Sequence, residues 1–197
     1  FSIVGDFLGN ELPIQSDSTY KFKEIWNINN LDKKNKDNSL QSSSLPWYGE
    51  FVGKLLTGIA FSYKVNNDES LLNAANSIIN DLEIAQGEDG YLGVFKGGAR
   101  YSISSSNWDL WNQYHCIVGL LEWYKITGNE KAYSIAKKAI DCIYDTFQGK
   151  SYLVNGGFET NRGIAHAYAL MYQVIKDKKG NVEESRKYNG AMCGASY

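Results

Sequence analysis

The chain has 197 residues, enough for one domain with a sizeable core, and its 20 basic and 22 acidic residues leave a net charge of −2. That balance gives no electrostatic footprint for nucleic acid or an anionic membrane surface, and no apolar run approaches the roughly 20 residues a membrane-spanning helix needs. The three cysteines, Cys116, Cys142 and Cys193, show neither disulfide-framework spacing nor a C-x-x-C metal knuckle.

Residues 1–16 mix β-branched residues with glycine and predict one or two short strands or an irregular arm. Residues 27–46 are polar and short of apolar anchors, which predicts an exposed loop with room for one helical turn. From Pro46 the pattern turns helical: Phe51, Leu55, Ile59 and Tyr63 recur at spacing four. Leu72, Ala75, Ile79 and Leu82 mark a second helix, followed by the glycine-rich loop GEDGYLGVFKGG with room for a short hairpin. A third helix is expected over 108–127, stopped by Gly128. A fourth starts at Asn129, with Ala132, Ala136, Ile140, Ile143 and Phe147 inward and Lys137, Lys138, Asp141 and Asp145 toward water. A fifth covers 161–176 and a weak sixth follows KKGN. The organisation expected is a single domain over 1–197, with an arm and loop at 1–46 and hairpin repeats at 47–176. The start at Phe1 without a signal-peptide pattern predicts a processed or excerpted chain and sets no compartment. Composition sets no oligomeric state.

The helices repeat in pairs. A shift of 61 residues carries Trp47 onto Trp108, Gly58 onto Gly119, Tyr63-Lys64 onto Tyr124-Lys125 and Ala75 onto Ala136. YQVIKDKKGN, from Tyr172, is a candidate third copy. One αα-hairpin cannot bury its apolar face alone, so copies must stack into a solenoid or close into an α/α toroid. A closed toroid takes about 12 helices and well over roughly 300 residues. The fold class expected is therefore all-α, an (α/α) toroid of helical hairpins of the (α/α)6-barrel type, with about half of the barrel present.

In such a toroid the loops entering the inner helices surround a central pocket. Trp47-Tyr48-Gly49-Glu50 opens the first inner helix, Trp108-Asp109 with Trp111 the second, and Glu159-Thr160-Asn161 the third. Sugar sites combine flat apolar faces for ring C–H groups with carboxylates or amides for hydroxyls, and the openings supply that mixture. The alternative is purely structural, with tryptophans as core knobs and Glu50 and Asp109 as favourable first-turn acids. His115 and His166 lie early in the third and fifth helices, where each is either a pocket residue or a satisfied, partly buried histidine. The EDGYLG loop is expected either to close over the pocket, with Asp89 or Tyr91 on the ligand, or to be a turn anchored by its tyrosine. Glu50, Asp89, Asp109 and Glu159 are the pool for the paired carboxylates of glycoside hydrolysis, and no catalytic residue is assigned among them. No phosphate loop, dinucleotide fingerprint or local Ser-His-Asp motif is present.

WYGEFVGKLLTGIAFSY, QGEDGYLGVF and WDLWNQYHCIVGLLEWYKITGNEKAYSIAKKAIDCIYDTF, taken in order with the opening GDFLGNEL, resemble the N-terminal half of the β-L-arabinofuranosidase-like glycoside hydrolases. The resemblance covers about residues 3–176. It implies an (α/α)6 barrel, hydrolysis of plant-type or related glycans, and a pocket at the barrel mouth. It further implies that Trp108-Asp109 stands where characterised members have a His-Glu pair, and Asn161 where they have a pocket histidine. The family's general acid and its zinc-bound cysteine nucleophile come from the second half of the barrel. Cys193 lacks the matching neighbourhood, so no zinc or other cofactor is expected from this chain.

The expected function is thus a glycoside hydrolase with a carbohydrate substrate, and neither nucleic acid nor membrane as partner. One rival is another α/α-toroid enzyme, an epimerase or lyase that moves protons with histidines or tyrosines. A strongly basic pocket would favour the lyase. The other rival is a non-catalytic carbohydrate-binding helical array, which an aromatic concave surface without converging acids would favour.

Overall fold

The structure is a computed structural model that describes residues 48–95, 100–101, 108–148, 158–178 and 182–195; the side chains of residues 48, 158–161, 182 and 192–195 lie outside the description. The arm and loop expected at 1–46, and Trp47, fall outside the described residues.

Six helices form in order: α1 Tyr48–Asn66, α2 Glu69–Ala85, α3 Asp109–Thr127, α4 Glu130–Phe147, α5 Phe158–Asp177 and α6 Val182–Ala195. Short turns make the pairs antiparallel hairpins, and the turns repeat chemically as well as in spacing. Asp68 caps α2 by accepting the Ser70 N–H, and Asn129 caps α4 by accepting the Ala132 N–H. These caps are 61 positions apart, matching the sequence repeat. Gly128 ends α3 in the left-handed region at φ 72°. The glycine-rich segment after α2 forms a tight turn, with the Gly90 N–H donating to the Gly87 carbonyl and the Gly87 N–H to that of Tyr91. No strand is found among the described residues.

Helix α3 is the hub, packed against α1, α4 and α5, while α2 lies against α1 and α4, and α6 against α5. The α1–α3 contact is parallel and close. A Cβ built on Gly53 would fall 2.1 Å from the His115 carbonyl carbon and 2.4 Å from the Cys116 nitrogen. A Cβ on Gly119 would meet the Gly53 oxygen at 2.7 Å. The same register places the Glu50 N–H on Asn112 Oδ1 and the Cys116 thiol on the Gly49 carbonyl. Between the helices lies one core, built on Leu56, Ile79, Leu82, Leu110, Ile117, Leu120, Trp123, Ile140 and Met171.

Two expectations about faces are corrected. The buried stripe of α1 is Val52, Leu56, Ile59 and Ala60, with Phe51, Leu55 and Tyr63 only partly covered. The core line is still a spacing-four series, Val52, Leu56 and Ala60, but shifted by one residue from the expected one, with Ile59 alongside. On α4, Lys137 and Asp141 do not simply face water, because α6 brings Glu184, Lys187 and Tyr188 onto them at 2.6–2.8 Å.

The glycine contact yields a paired prediction. Gly53→Ala is expected to lower stability by about 1–3 kcal/mol, because the intruding carbon meets backbone rather than a side chain that can yield. Gly58, its helical neighbour with nothing near its built Cβ, should gain about 0.5–1 kcal/mol on replacement by Ala. Thermal or urea denaturation of the two variants measures both.

Candidate functional site

The three inner helices α1, α3 and α5 start at one end. Glu50 in the first turn of α1 meets Asn112 in the first turn of α3, and Gly163 near the start of α5 packs on Trp111 and Tyr114. Glu159 and Asn161 lie in the first turn of α5, with side chains outside the described ones.

Two layers of residues make up this end. The outer layer comprises Glu50 and Lys54 on α1, Trp111, Tyr114 and His115 on α3, and His166 on α5. Trp111 stands edge-on to His115 at 4.6 Å, and Tyr114 lies between Trp111, His115 and His166. The Tyr114 hydroxyl is hydrogen-bonded to His166 Nδ1 at 3.0 Å. Lys54 pairs with Glu50 at 2.5 Å. Burial, and then the Lys54 charge, hold His115 down at about 4 against the pull of Glu50, so its imidazole is neutral near pH 7. Trp111 Nε1 and His115 Nε2 are both covered and find no hydrogen-bond partner among the described residues. Covered polar atoms are nearly always paired, so two such atoms on adjoining rings mark where a polar partner belongs.

The inner layer is closed. Asp109 has no exposed surface. Its Oδ1 accepts the Tyr91 hydroxyl at 2.8 Å and Gln113 Nε2 at 3.2 Å, and its Oδ2 accepts the Tyr101 N–H at 2.9 Å. The Tyr91 hydroxyl in turn accepts the Phe95 N–H. Tyr101 sits in the left-handed region at φ 53°, a conformation that non-glycine residues adopt at a cost. Gly93 closes the cluster, since a Cβ there would fall 2.4 Å from the Tyr91 hydroxyl and 2.5 Å from Asp109 Oδ1. Burial pushes the Asp109 carboxyl up to about 6, against four stabilising influences: Tyr101, Tyr91, Gln113 and the Arg100 charge.

The structure therefore divides the expected site residues. It brings Glu50, Trp111 and His115 together, and Trp108, partly exposed, is the N-cap residue of α3 at the same end. It withdraws Tyr91 and Asp109 into the interior, which corrects their expected place on a ligand. Asp109 is not a side-chain helix cap either, because its carboxylate turns to the preceding segment. Asp89 is exposed, and its oxygens are taken by the Tyr91 N–H and Arg100. The EDGYLG segment is no lid: residues 91–95 are buried, Gln86 donates to the Ile135 carbonyl of α4, and Tyr101 packs against Phe147 of α4. Lys54, Tyr114, Tyr101 and Gln113 were missed. Tyr114 was findable at helical spacing three from Trp111, whereas Tyr101 and Gln113 carry no sequence signal of their role.

The described residues do not fit a zinc centre. Among them no three His, Cys, Asp or Glu side chains cluster as ligands. Burial pushes the Cys116 thiol far up, and it donates to a backbone carbonyl. The side chain of Cys193 lies outside the described residues.

Stacked αα-hairpins with aromatic and polar residues at one end of the inner helices define an α/α-barrel type of protein. Residues 13–179 match the model of the β-L-arabinofuranosidase GH127 catalytic domain, and the chain belongs to that family. It is 27% identical over 128 residues to a non-reducing end β-L-arabinofuranosidase of Bifidobacterium longum subsp. longum, a match that covers 59% of this chain and 20% of the relative. The fold is similar to that of Ara127N, a GH127 β-L-arabinofuranosidase from Geobacillus stearothermophilus T6, with a TM-score of 0.66, 20% identity and coverage of 95% of this chain and 28% of that one. It is also similar to that of the GH127 β-arabinofuranosidase BT3674, with a TM-score of 0.63, 17% identity and coverage of 90% and 27%. The chain thus spans about a fifth to a quarter of the length of these relatives.

The inner layer carries a prediction with a definite sign. The folded pKa of Asp109, about 6, lies above its unfolded value of 3.8, so its contribution to stability is complete below the unfolded value and is lost as pH rises through about 6. His115, held at about 4, works the other way and loses its contribution as pH falls below its ordinary 6.5. The two slopes oppose each other in the same window and partly cancel in the parent chain. Its stability relative to Asp109→Asn isolates the first. That difference should fall by an amount on the order of 3 kcal/mol from pH 4 to pH 7, read from urea denaturation at each pH.

Proposed function

We propose that this chain supplies part of the sugar pocket of a glycoside hydrolase acting on β-L-arabinofuranosides or related plant-type glycans. The supporting observation is the pair of covered ring nitrogens, Trp111 Nε1 and His115 Nε2, that find no partner among the described residues, at the common start of the inner helices of a GH127-family chain. A sugar offers what this surface lacks: hydroxyls for the two nitrogens and C–H faces for the rings. Trp111, with Trp108 one helical turn before it at the start of α3, gives a stacking face. Neutral His115 exchanges a hydrogen bond with a hydroxyl without burying a charge. Glu50, tied to Lys54, accepts from a further hydroxyl. Tyr114 and His166 close the side toward α5. Glu159 and Asn161, in the first turn of α5, are proposed as further contacts on the same rim, and Trp47, ahead of α1, as another. No general acid or nucleophile is assigned to this chain.

The test is hydrolysis of an aryl β-L-arabinofuranoside, and binding of L-arabinose, by the full-length enzyme and its Trp111→Ala variant. Loss of stacking worth about 1 kcal/mol predicts roughly a fivefold weaker sugar affinity, with more lost in turnover if the ring also orients the substrate. A variant with the parent's kinetics and affinity would remove this surface from the pocket. An enzyme that hydrolyses no arabinofuranoside, but binds another sugar through Trp111, would move the substrate assignment elsewhere.

A further inference from the structure

We propose that Asp109 is a positioning residue. It is a buried tie that fastens the connection between α2 and α3 to the first turn of α3, and thereby sets how Trp108 and Trp111 are presented at the opening. The use of those rings on a sugar rests on the reading above, but the positioning itself does not.

Four observations carry the tie. Asp109 adjoins Trp108 in sequence and lies half a helical turn before Trp111. Its carboxylate gathers donors from three places on the chain: Tyr91 and Tyr101 on the connection, and Gln113 one turn along α3. Gly93 leaves room for that convergence, since any side chain there would strike Asp109 and Tyr91. Tyr101 is held in a left-handed conformation, with its N–H on the carboxylate and its ring wedged edge-on between Tyr91 and Phe147.

The tie is sensitive to a single proton. With the carboxylate ionised, Oδ1 accepts two donors while the Tyr91 oxygen accepts the Phe95 N–H. A proton on Oδ1 reverses the Tyr91 bond and leaves the tyrosine proton to find another acceptor, or it displaces Gln113. The surrounding groups are Tyr91, Tyr101 and Arg100 from the connection, Cys142 from α4 through Tyr101, and Asp89 beyond Arg100. Burial pushes both tyrosines well above their ordinary range, so neither ionises before the carboxyl. The carboxyl, at about 6, is the group that changes charge near neutrality.

The experiment follows tryptophan fluorescence of the full chain from about pH 4.5 to about pH 8, across the raised carboxyl. It uses a His166→Gln background, which removes the imidazole beside Tyr114. An emission transition with a midpoint of about 6 is expected. It should be absent in Asp109→Asn, displaced upward in Tyr91→Phe, where the carboxylate loses a donor, and strongly reduced in Trp108→Phe/Trp111→Phe. Circular dichroism confirms that each variant stays helical. A profile in Asp109→Asn that superimposes on the parent's, or a transition untouched by loss of both tryptophans, overturns the proposal. Added L-arabinose, tested with His166 intact because that residue belongs to the proposed pocket, separates the two readings. If emission ignores the sugar while the Asp109-dependent transition is present, the positioning role stands and the carbohydrate assignment fails.

Discussion

With only hydrogen in place of a side chain at Gly53, α1 lies directly against the His115–Cys116 peptide of α3, and this contact fixes both the spacing and the phase of the inner helices. Parallel packing follows from it, as do the Glu50–Asn112 and Gly49–Cys116 hydrogen bonds that hold the helix starts level. Once α1 and α3 are level, α5 is seated by another small residue, Gly163, against Tyr114 and Trp111. The outer helices then cover the remaining apolar faces, and the hairpin turns need only close short gaps. A shift of one residue in the α1–α3 register would set side chains against backbone along the whole contact and separate Glu50 from His115. The residues gathered at the opening are therefore a consequence of glycine placement at least as much as of the side chains themselves.

Burial sorts the polar groups at this end by whether the protein itself satisfies them. Asp109 meets donors on both oxygens, and a buried carboxylate with that many partners is tolerable where an unpaired one is not. Trp111 and His115 have covered nitrogens without such partners among the described residues. The same sorting inverts the usual order of the titrating groups. The carboxyl at about 6 and the imidazole at about 4 leave both neutral between those values, although the sequence suggests an anion beside a cation. Electrostatic steering by Asp109 has little part in this arrangement, and the charges nearest the outer layer are the Glu50–Lys54 pair.

Much of the fold is legible because helix periods, caps and the 61-residue shift all report local geometry. Asp68 and Asn129 announce the second helix of each hairpin by their own chemistry, and Gly128 ends α3 as a left-handed cap. The phase of α1 is less legible, because Gly53 and Ala60 contribute to its packing while adding nothing to a count of large apolar residues. Of the tryptophans in α3 and its cap, sequence cannot separate Trp123, buried against Tyr63, from Trp108 and Trp111 at the opening. All three sit within one helical pattern, and the difference lies in what packs over each. The fate of Asp109 was hidden for the same reason. Tyr91 and Tyr101 are 18 and 8 residues before it, and only tertiary contacts bring them back to the helix start.

These contacts explain why an acid at the mouth of an inner helix need not face the mouth. Apolar contacts alone would place Tyr91 and Tyr101 poorly because they lack direction. Hydrogen bonds to one carboxylate do have direction, and here they require Tyr91, Tyr101 and Gln113 to meet at one point. The tie also reaches the core, because Tyr91 precedes the fully buried Leu92 and lies just before buried Val94 and Phe95. Displacing the carboxylate would thus disturb two things together: the packing of the connection and the first turn of α3 that carries Trp108 and Trp111. A group placed at that junction shapes the opening without touching whatever enters it, which is why aromatic and acidic residues adjacent in sequence belong to different layers of the structure.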